Sequence, residues 1–532
     1  MKRGPVLIVI LLAVFSIGII GYKLYNQISS KSGTALQTLS RITPQERQCV
    51  ISKIGRSAAL ELVNVFRQTQ TISPHTLNEI KACLPQDISN YLELLTQNNN
   101  NANGIKNAGL VMGTGVMIQQ LPQLCNKMQQ DGSRFNWLTL SWQRIQPQKG
   151  QWAYNQFDTW VNSYLNCGQE VAVHILADAS WAIQPYPPGI TQATRHKPSM
   201  PAKNSQDYYN FVYNVASHYK GKITRYSIEN EAHAQTNWGG TPQEYMIELQ
   251  TAYKAIKAAD PEAIVEDAAM SHEGLGYIVT NWLYQKGEKQ QALSFANSYD
   301  VNFQRNNQSL KASNIAELQA SLNRSGVQKI IQWENLLFAN HAYYDHMQIH
   351  NGAPWQDLQI VLDYLHSSLQ AQGDDKPIDL WEGWYSFAGA PGNGFDPNVQ
   401  AREIVKQVVT AFANKIMVYN YWTFNDFAIS EGHPGLVDNQ GNPRPAAESY
   451  KLTSEKLTGS TSVQKLNFGP NIFGYEFTAG NKKVFVVWSR VDSTVTLPIN
   501  GGLTITDIQG NVKTISSKVL PVTTSPVFVE PQ

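Results

Sequence analysis

The sequence predicts an α/β protein built on a (β/α)8 TIM barrel, with a C-terminal antiparallel β-sandwich domain and a small N-terminal helical segment behind a membrane anchor. Three observations predict it. Between about residues 105 and 455, short runs rich in β-branched and aromatic residues alternate with longer helical ones. That stretch has the length of an eightfold barrel, which takes ~250 residues or more once insertions are counted. No Gly-x-Gly-x-x-Gly or Walker-type loop opens a helix, which counts against doubly wound nucleotide binders.

The amino terminus comes first. Met1-Lys2-Arg3 precedes a nearly unbroken apolar run from Pro5 to Tyr22. A run of that length sits at the lower edge of what crosses a hydrocarbon layer of ~30 Å and exceeds the ~7–15 residues of a secretory h-region. The exit, Gly21-Tyr22-Lys23-Leu24-Tyr25, offers no clean small-x-small cleavage pattern. Residues 1–30 are therefore expected to be an anchor, single-pass through residues 5–22, with Lys2 and Arg3 left inside and the main body outside. A cleaved export signal is the other reading, and it gives a secreted protein.

Residues 31–104 are expected to form a helical segment and an Asn-rich linker. Thr43-Pro44-Gln45-Glu46 and Ser73-Pro74 resemble helix starts, and Leu60, Val63 and Phe66 share a stripe at helical spacing. Asn98 to Gly104 breaks the pattern. The four cysteines, Cys49, Cys83, Cys125 and Cys167, are even in number, and an exported chain permits disulfides. Three pairings are open; proximity in one small segment favours Cys49–Cys83, with Cys125–Cys167 second.

Residues 105–458 are assigned to the barrel. Strands are expected at Phe135 to Leu140, Glu170 to Leu176, Ile223 to Ile228, Tyr344 to His350, Ile378 to Trp381 and Lys415 to Tyr421, with helices at Asn155 to Asn166, Tyr208 to Tyr219 and Trp355 to Leu369. A long insertion lies around Gly274–Asn340. Residues 459–532 are assigned to the sandwich, because Phe473 to Phe477, Lys483 to Trp488, Thr494 to Leu497, Leu503 to Ile508 and Ser525 to Glu530 are short runs between Gly, Asn and Pro.

Composition narrows the function. The 532 residues carry 42 Lys+Arg against 41 Asp+Glu, a net charge of +1, so no global field exists for gripping nucleic acid. Charged residues make up only 16%, below the ~25% usual for soluble domains, and neutral polar side chains take their place. No HExxH and no clustered His/Asp spacing is present, so neither a metal nor another cofactor is expected.

In a parallel barrel, reactive side chains stand at the carboxyl ends of the strands. Two acids stand out there. Ile223 to Ile228 runs into Glu229-Asn230-Glu231, and Ile378 to Trp381 runs into Glu382-Gly383-Trp384. Two carboxyls facing each other across such a mouth can cleave an acetal, one protonated to assist the leaving oxygen and one ionised to attack. Strand alternation points Glu229 and Glu231 the same way, so a register error would confuse them. Trp142, Trp181, Trp384 and Trp422 fall at or just beyond strand ends, where indole faces suit the C–H faces of sugars, and His174 and His350 are candidate hydroxyl partners.

These segments together resemble the retaining (β/α)8-barrel glycoside hydrolases, nearest to the β-xylosidase and α-L-iduronidase family and related endoglycanases. Asn230-Glu231 is similar to their fourth-strand end and Leu380-Trp381-Glu382-Gly383-Trp384 to their seventh. Ser141-Trp142-Gln143-Arg144 resembles the second-strand segment, Ile349-His350 the sixth, and Tyr421-Trp422-Thr423-Phe424 the eighth. The resemblance implies hydrolysis of β-linked oligo- or polysaccharides by double displacement. Glu231 would be the acid/base and Glu382 the nucleophile, with Asn230, His174, Trp181, His350, Trp384 and Trp422 binding the carbohydrate. It covers roughly residues 105–530 and departs in two places: the family's Pro after Asn-Glu is Ala232, and Trp137 stands where an arginine is expected, with Arg134 and Arg144 flanking the strand. The alternative is a catalytically silent cell-surface barrel that binds glycans.

Overall fold

The computed structural model describes residue 43 and residues 45–46, 48–53, 79–84, 110–186, 197–299, 310–385, 395–427, 434–499 and 501–532. The chain divides into two compact units, Met1–Asn107 and Ala108–Gln532. The apolar run 5–22, the Leu60–Val63–Phe66 stripe, Ser73-Pro74 and the Asn-rich linker lie outside the described residues. Among the described residues, no helix is long and apolar enough to cross a membrane.

In the first unit the helix start at Thr43 is built as its sequence suggests. Thr43 N donates to Glu46 Oε2 at 2.6 Å and Glu46 N to Thr43 Oγ1 at 3.3 Å, a reciprocal capping box that satisfies two otherwise orphaned amides. Cys49 and Cys83 are joined by a disulfide.

The second unit is an eight-stranded parallel barrel carrying an antiparallel sheet. The barrel strands are β1 (Val111–Thr114), β2 (Phe135–Ser141), β3 (Glu170–Leu176), β4 (Ile223–Ile228), β5 (Ile264–Glu266), β6 (Met347–Asn351), β7 (Ile378–Gly383) and β8 (Ile416–Tyr421). They pair in two parallel arcs, β2-β3-β4-β5 and β1-β8-β7-β6. Parallel bridges Glu266↔His346 and Met270↔Ile349 join β5 to β6. On the other side, Arg134 N donates to Met112 O at 2.8 Å and Asn136 Nδ2 to Thr114 O at 2.8 Å, which closes the ring.

β1 and β5, four and three residues long, have no sequence counterpart above; such short runs carry too few alternating residues to read. β6 starts at Met347 rather than Tyr344; of the residues before it, Asp345 and His346 both donate their amides to Val265 O, and Val265 N donates to the Asp345 side chain at 2.8 Å. Among the described residues, the insertion between β5 and β6 holds the α-helices His272–Gln285, Lys289–Tyr299, Ile315–Leu322 and Ser325–Ala339. Cys125 and Cys167 form a second disulfide, tying the helix Leu121–Gln130 to the C-cap of Asn155–Asn166.

The carboxyl-terminal sheet holds β9 (Ser462–Asn467), β10 (Ile472–Ala479), β11 (Lys482–Ser489), β13 (Leu503–Asp507), β14 (Val512–Ile515) and β16 (Val527–Pro531) in the order β14-β13-β16-β11-β10-β9, and a separate pair, β12 (Ser493–Thr496) with β15 (Val519–Val522), covers it. β11 is buried on both faces. Phe485 and Val487 join Val495, Leu497, Leu520 and Val522 between the two layers, whereas Val484, Val486 and Trp488 belong to the core of the barrel. Trp355, at the start of a barrel helix, packs edge-on against Phe473 at 4.5 Å and Trp488 at 5.2 Å. The sheet is fused to the barrel by its own aromatic seam.

Candidate active site

The inward face of β4 carries Arg225 and Ser227, and that of β7 carries Asp379 and Trp381, as period-2 alternation dictates. Deep in the ring, Arg225 binds three carboxylates. Its Nε lies 3.0 Å from Glu170 Oε1 and its Nη1 2.5 Å from Asp379 Oδ2 and 3.4 Å from Glu266 Oε1. His346 Nδ1 completes the group, 2.8 Å from Asp379 Oδ2. Burial opposes the Asp379 charge, but Arg225 and His346 hold its pKa down to about 2. Glu266, His346 and Asp379 cluster as metal ligands would, yet the guanidinium already stands among them. The cluster is a compensated core.

Above it the strand ends break alternation. β4 ends at Ile228, and Glu229 (φ 66°) and Glu231 (φ 47°) both adopt the left-handed backbone that non-glycine residues rarely take. The first turn sends the Glu229 side chain back onto β3, where Oε1 accepts Ala177 N at 2.7 Å and the residue is sealed. The second releases Glu231 toward β5 and β6. Glu231 N donates to Ala268 O, and Glu231 Oε1 lies 2.8 Å from His350 Nδ1. Ala232 is a condition for this geometry. A proline there would drive the residue before it into extended backbone, incompatible with Glu231 at φ 47°.

On β7 the ladder slips. The register with β6 shifts between Ile349 and His350, and that with β8 between Leu380 and Gly383. A slip of one residue turns the next side chain to the other face, so Glu382 points inward although Trp381 already does. Glu382 Oε2 lies 3.7 Å from the same His350 Nδ1. The two carboxylate oxygens are thus separated by at most the sum of both distances, 6.5 Å. The Glu231 side chain is 27% exposed and that of Glu382 15%, while His350 is 1% exposed. The acids face the opening and the imidazole lies behind them.

The electrostatics follow from this arrangement. Burial pushes the His350 pKa down, but the Glu382 carboxylate and the Glu231 hydrogen bond raise it above the ordinary imidazole value. Burial raises Glu231, and the His350 hydrogen bond and charge outweigh it, leaving its carboxyl below the usual range. Both shifts favour the charged pair, an imidazolium beside a carboxylate. His174 is the opposite case. Burial and the neighbouring His350 push its pKa down to about 3, so it is neutral, and Nδ1, 3.2 Å from Glu229 O, must carry the hydrogen because a carbonyl can only accept.

Aromatic rings wall the site. Trp422 stacks on Trp137 (5.0 Å, 17°) and meets Phe427 edge-on; it lies so close over Gly115 that a Cβ there would sit 2.1 Å from the indole. Trp137 also meets His174 edge-on at 4.8 Å, and His174 lies 6.4 Å from His350. Trp384 rests on Gly352, where a Cβ would be 2.0 Å from Nε1, and packs edge-on to His272 at 5.6 Å. Trp137 Nε1, His174 Nε2, Asn230 Oδ1 and His350 Nε2 are buried without hydrogen-bond partners among the described residues.

The structure therefore gathers Glu231, Glu382, His350, His174 and Trp422, with Asn230 beside them in the chain. Trp181 joins a different group: its indole donates to Gln146 O at 2.9 Å and its ring meets Trp142, which stacks on Phe211. Arg134 binds the carbonyls of Gln129 and Ser133, and His350 Nδ1 is an imidazole nitrogen within 3.7 Å of Glu382 Oε2. Sequence reasoning missed Trp137 as a wall residue; its place in the arginine's position was the available signal. It also missed Asn237, whose Nδ2 lies 3.5 Å from Glu231 Oε2.

Comparison with known proteins finds likenesses in sequence and in fold. The sequence model of glycosyl hydrolase family 10 matches residues 100–328, a span that includes Glu231. The fold is similar to a family 39 glycoside hydrolase from Bacteroides cellulosilyticus WH2 (TM-score 0.53, 13% identity, 80% of this chain and 81% of that one). It is also similar to a glucosidase from Croceicoccus marinus (TM-score 0.51, 10% identity, 80% and 96%) and a family 39 β-xylosidase from Caulobacter crescentus (TM-score 0.50, 13% identity, 80% and 96%). In fold the chain is similar to these (β/α)8-barrel glycoside hydrolases, and in sequence its residues 100–328 are similar to glycosyl hydrolase family 10.

Proposed function

We propose that this protein is a retaining glycoside hydrolase acting on β-linked glycans of the xylo type, with Glu382 as nucleophile and Glu231 as acid/base. The observation that carries the proposal is the convergence of Glu231 Oε1 and Glu382 Oε2 on one imidazole nitrogen at a partly open barrel mouth. Their separation of at most 6.5 Å favours direct attack, since retaining pairs stand ~5–5.5 Å apart and inverting pairs ~6.5–9.5 Å. The matching family model and the Caulobacter β-xylosidase support the choice of xylo-type substrates.

In the first step Glu382 attacks the anomeric carbon while the leaving oxygen takes a proton from Glu231, which draws on the proton it shares with His350 Nδ1. In the second, Glu231 accepts a proton from water, and that water displaces the enzyme at the same carbon, restoring configuration. Sugar hydroxyls would pair with the orphaned Asn230 Oδ1, His174 Nε2 and Trp137 Nε1, and the ring would lie against Trp422 and Trp384. The run 5–22 would hold the enzyme at the outer face of a membrane, which partition of the full chain into the membrane fraction checks. The catalytic reading is tested with a panel of aryl β-glycosides. Glu231→Gln should lower turnover of phenyl xyloside by ~10²–10⁴-fold, and azide should rescue Glu382→Ala with an inverted product. Full activity in both variants would refute the assignment.

A further inference from the structure

Glu229 is a buried acid that the proposed chemistry does not use, and it lies two residues from Glu231. Three bonds tie it to consecutive parts of β3 and its loop: Glu229 N donates to Ile175 O at 2.9 Å, Glu229 O accepts from His174 Nδ1 at 3.2 Å, and Glu229 Oε1 accepts from Ala177 N at 2.7 Å. Ser227 Oγ, 3.1 Å from Glu229 O, adds a tie within β4. Left-handed at Glu229 itself and again at Glu231, the chain then reaches the opposite neighbours, β5 through Ala268 and β6 through His350. A left-handed glutamate persists only where its surroundings over-determine it. The side-chain clamp on Ala177 is the one of these ties that depends on residue 229 being a glutamate.

We propose that Glu229 is a positioning residue, whose side-chain clamp on the β3 loop sets the turn that aims the Glu231 carboxyl at the glycosidic oxygen. The inference rests on the acid/base reading of Glu231. Burial raises the Glu229 pKa, which favours the neutral acid, and a glutamine there keeps an oxygen that can accept from Ala177 N.

The test uses leaving groups. A dinitrophenolate departs without a proton, whereas a phenolate needs one, so misaiming the acid lowers kcat/KM for phenyl β-xyloside and spares dinitrophenyl β-xyloside. E229D and E229G both suit a left-handed backbone, and neither reaches Ala177 N. Each should lose about tenfold or more on the phenyl substrate, in line with the ~10²-fold that a 1 Å misplacement can cost, and less than about threefold on the dinitrophenyl one. E229Q, which keeps an acceptor for Ala177, should restore the phenyl rate. Equal losses on both substrates, or no loss in the glycine variant, overturn the positioning role. E231Q is run alongside: if it shows no leaving-group bias in an active enzyme, the acid/base reading fails, separately from the role of Glu229.

Discussion

Two acidic clusters occupy one barrel, barely a strand-length apart, and they differ in their counter-ions. The lower cluster sets Glu170, Glu266 and Asp379 around Arg225, all of them almost fully buried. The upper cluster sets Glu231 and Glu382 around a single histidine, with both carboxyls partly open. A guanidinium is always charged and satisfies its partners in a fixed fork, whereas an imidazole can give up its proton. The lower group also contains His346, but the permanent cation of Arg225 stands among its sealed carboxylates. The upper one sets its partly open acids beside a group whose charge can change, which suits acetal chemistry.

The comparison can be broken first at β7, where one strand supplies an acid to each cluster. Glu382→Ala should lower turnover of an aryl β-glycoside by about 10⁴-fold or more with the fold intact, as loss of an attacking group does elsewhere. A thermal melt beside the rate assay separates the two effects. Arg225→Met should do the reverse, costing about 3–5 kcal/mol of stability by stranding buried carboxylates, with the folded fraction keeping its specific activity. Denaturant titration measures it. Trp422→Ala should raise KM by about tenfold, the value of a lost ring face and its stacking with Trp137.

The smallest effect is the pH dependence of the upper pair. The His350 pKa is raised above 6.5, so its contribution to stability is present below that value and lost as pH rises through the folded value. The Glu231 pKa is lowered below 4.5, so its contribution is present above that value and lost as pH falls through the folded one. The wild type should therefore melt above His350→Gln near pH 6, and the gap should narrow as pH is raised further. A gap that widens toward alkaline pH would mean the two carboxylates do not hold that proton.

Much of this was legible in the sequence, and the losses have physical causes. β2, β3, β4, β7 and β8 could be read because six or seven residues of β-rich sequence end at recognisable turns. β1 and β5 could not, being too short for periodicity to register. Alternation alone predicts that Glu229 and Glu231 share a direction, and two left-handed residues overturn it. It would also place Glu382 opposite Trp381, and a register slip corrects that. Both departures are made by hydrogen bonds to neighbouring strands, which one strand's sequence does not contain. Trp181 shows the converse. Its position after β3 looked like a mouth position, but a carbonyl of the β2 loop takes its N–H and turns it toward Trp142.

The central claim is that Glu382 bonds to the sugar while Glu231 handles the proton. The most direct measurement takes the 2-fluoro analogue of whichever aryl β-glycoside the enzyme hydrolyses fastest, with a dinitrophenolate leaving group, and locates the trapped sugar by peptide mass spectrometry. A single glycosyl adduct on Glu382, absent from Glu382→Ala, is the predicted result. An adduct on Glu231, or rapid hydrolysis of the parent glycoside with inverted product and no adduct anywhere, would contradict it.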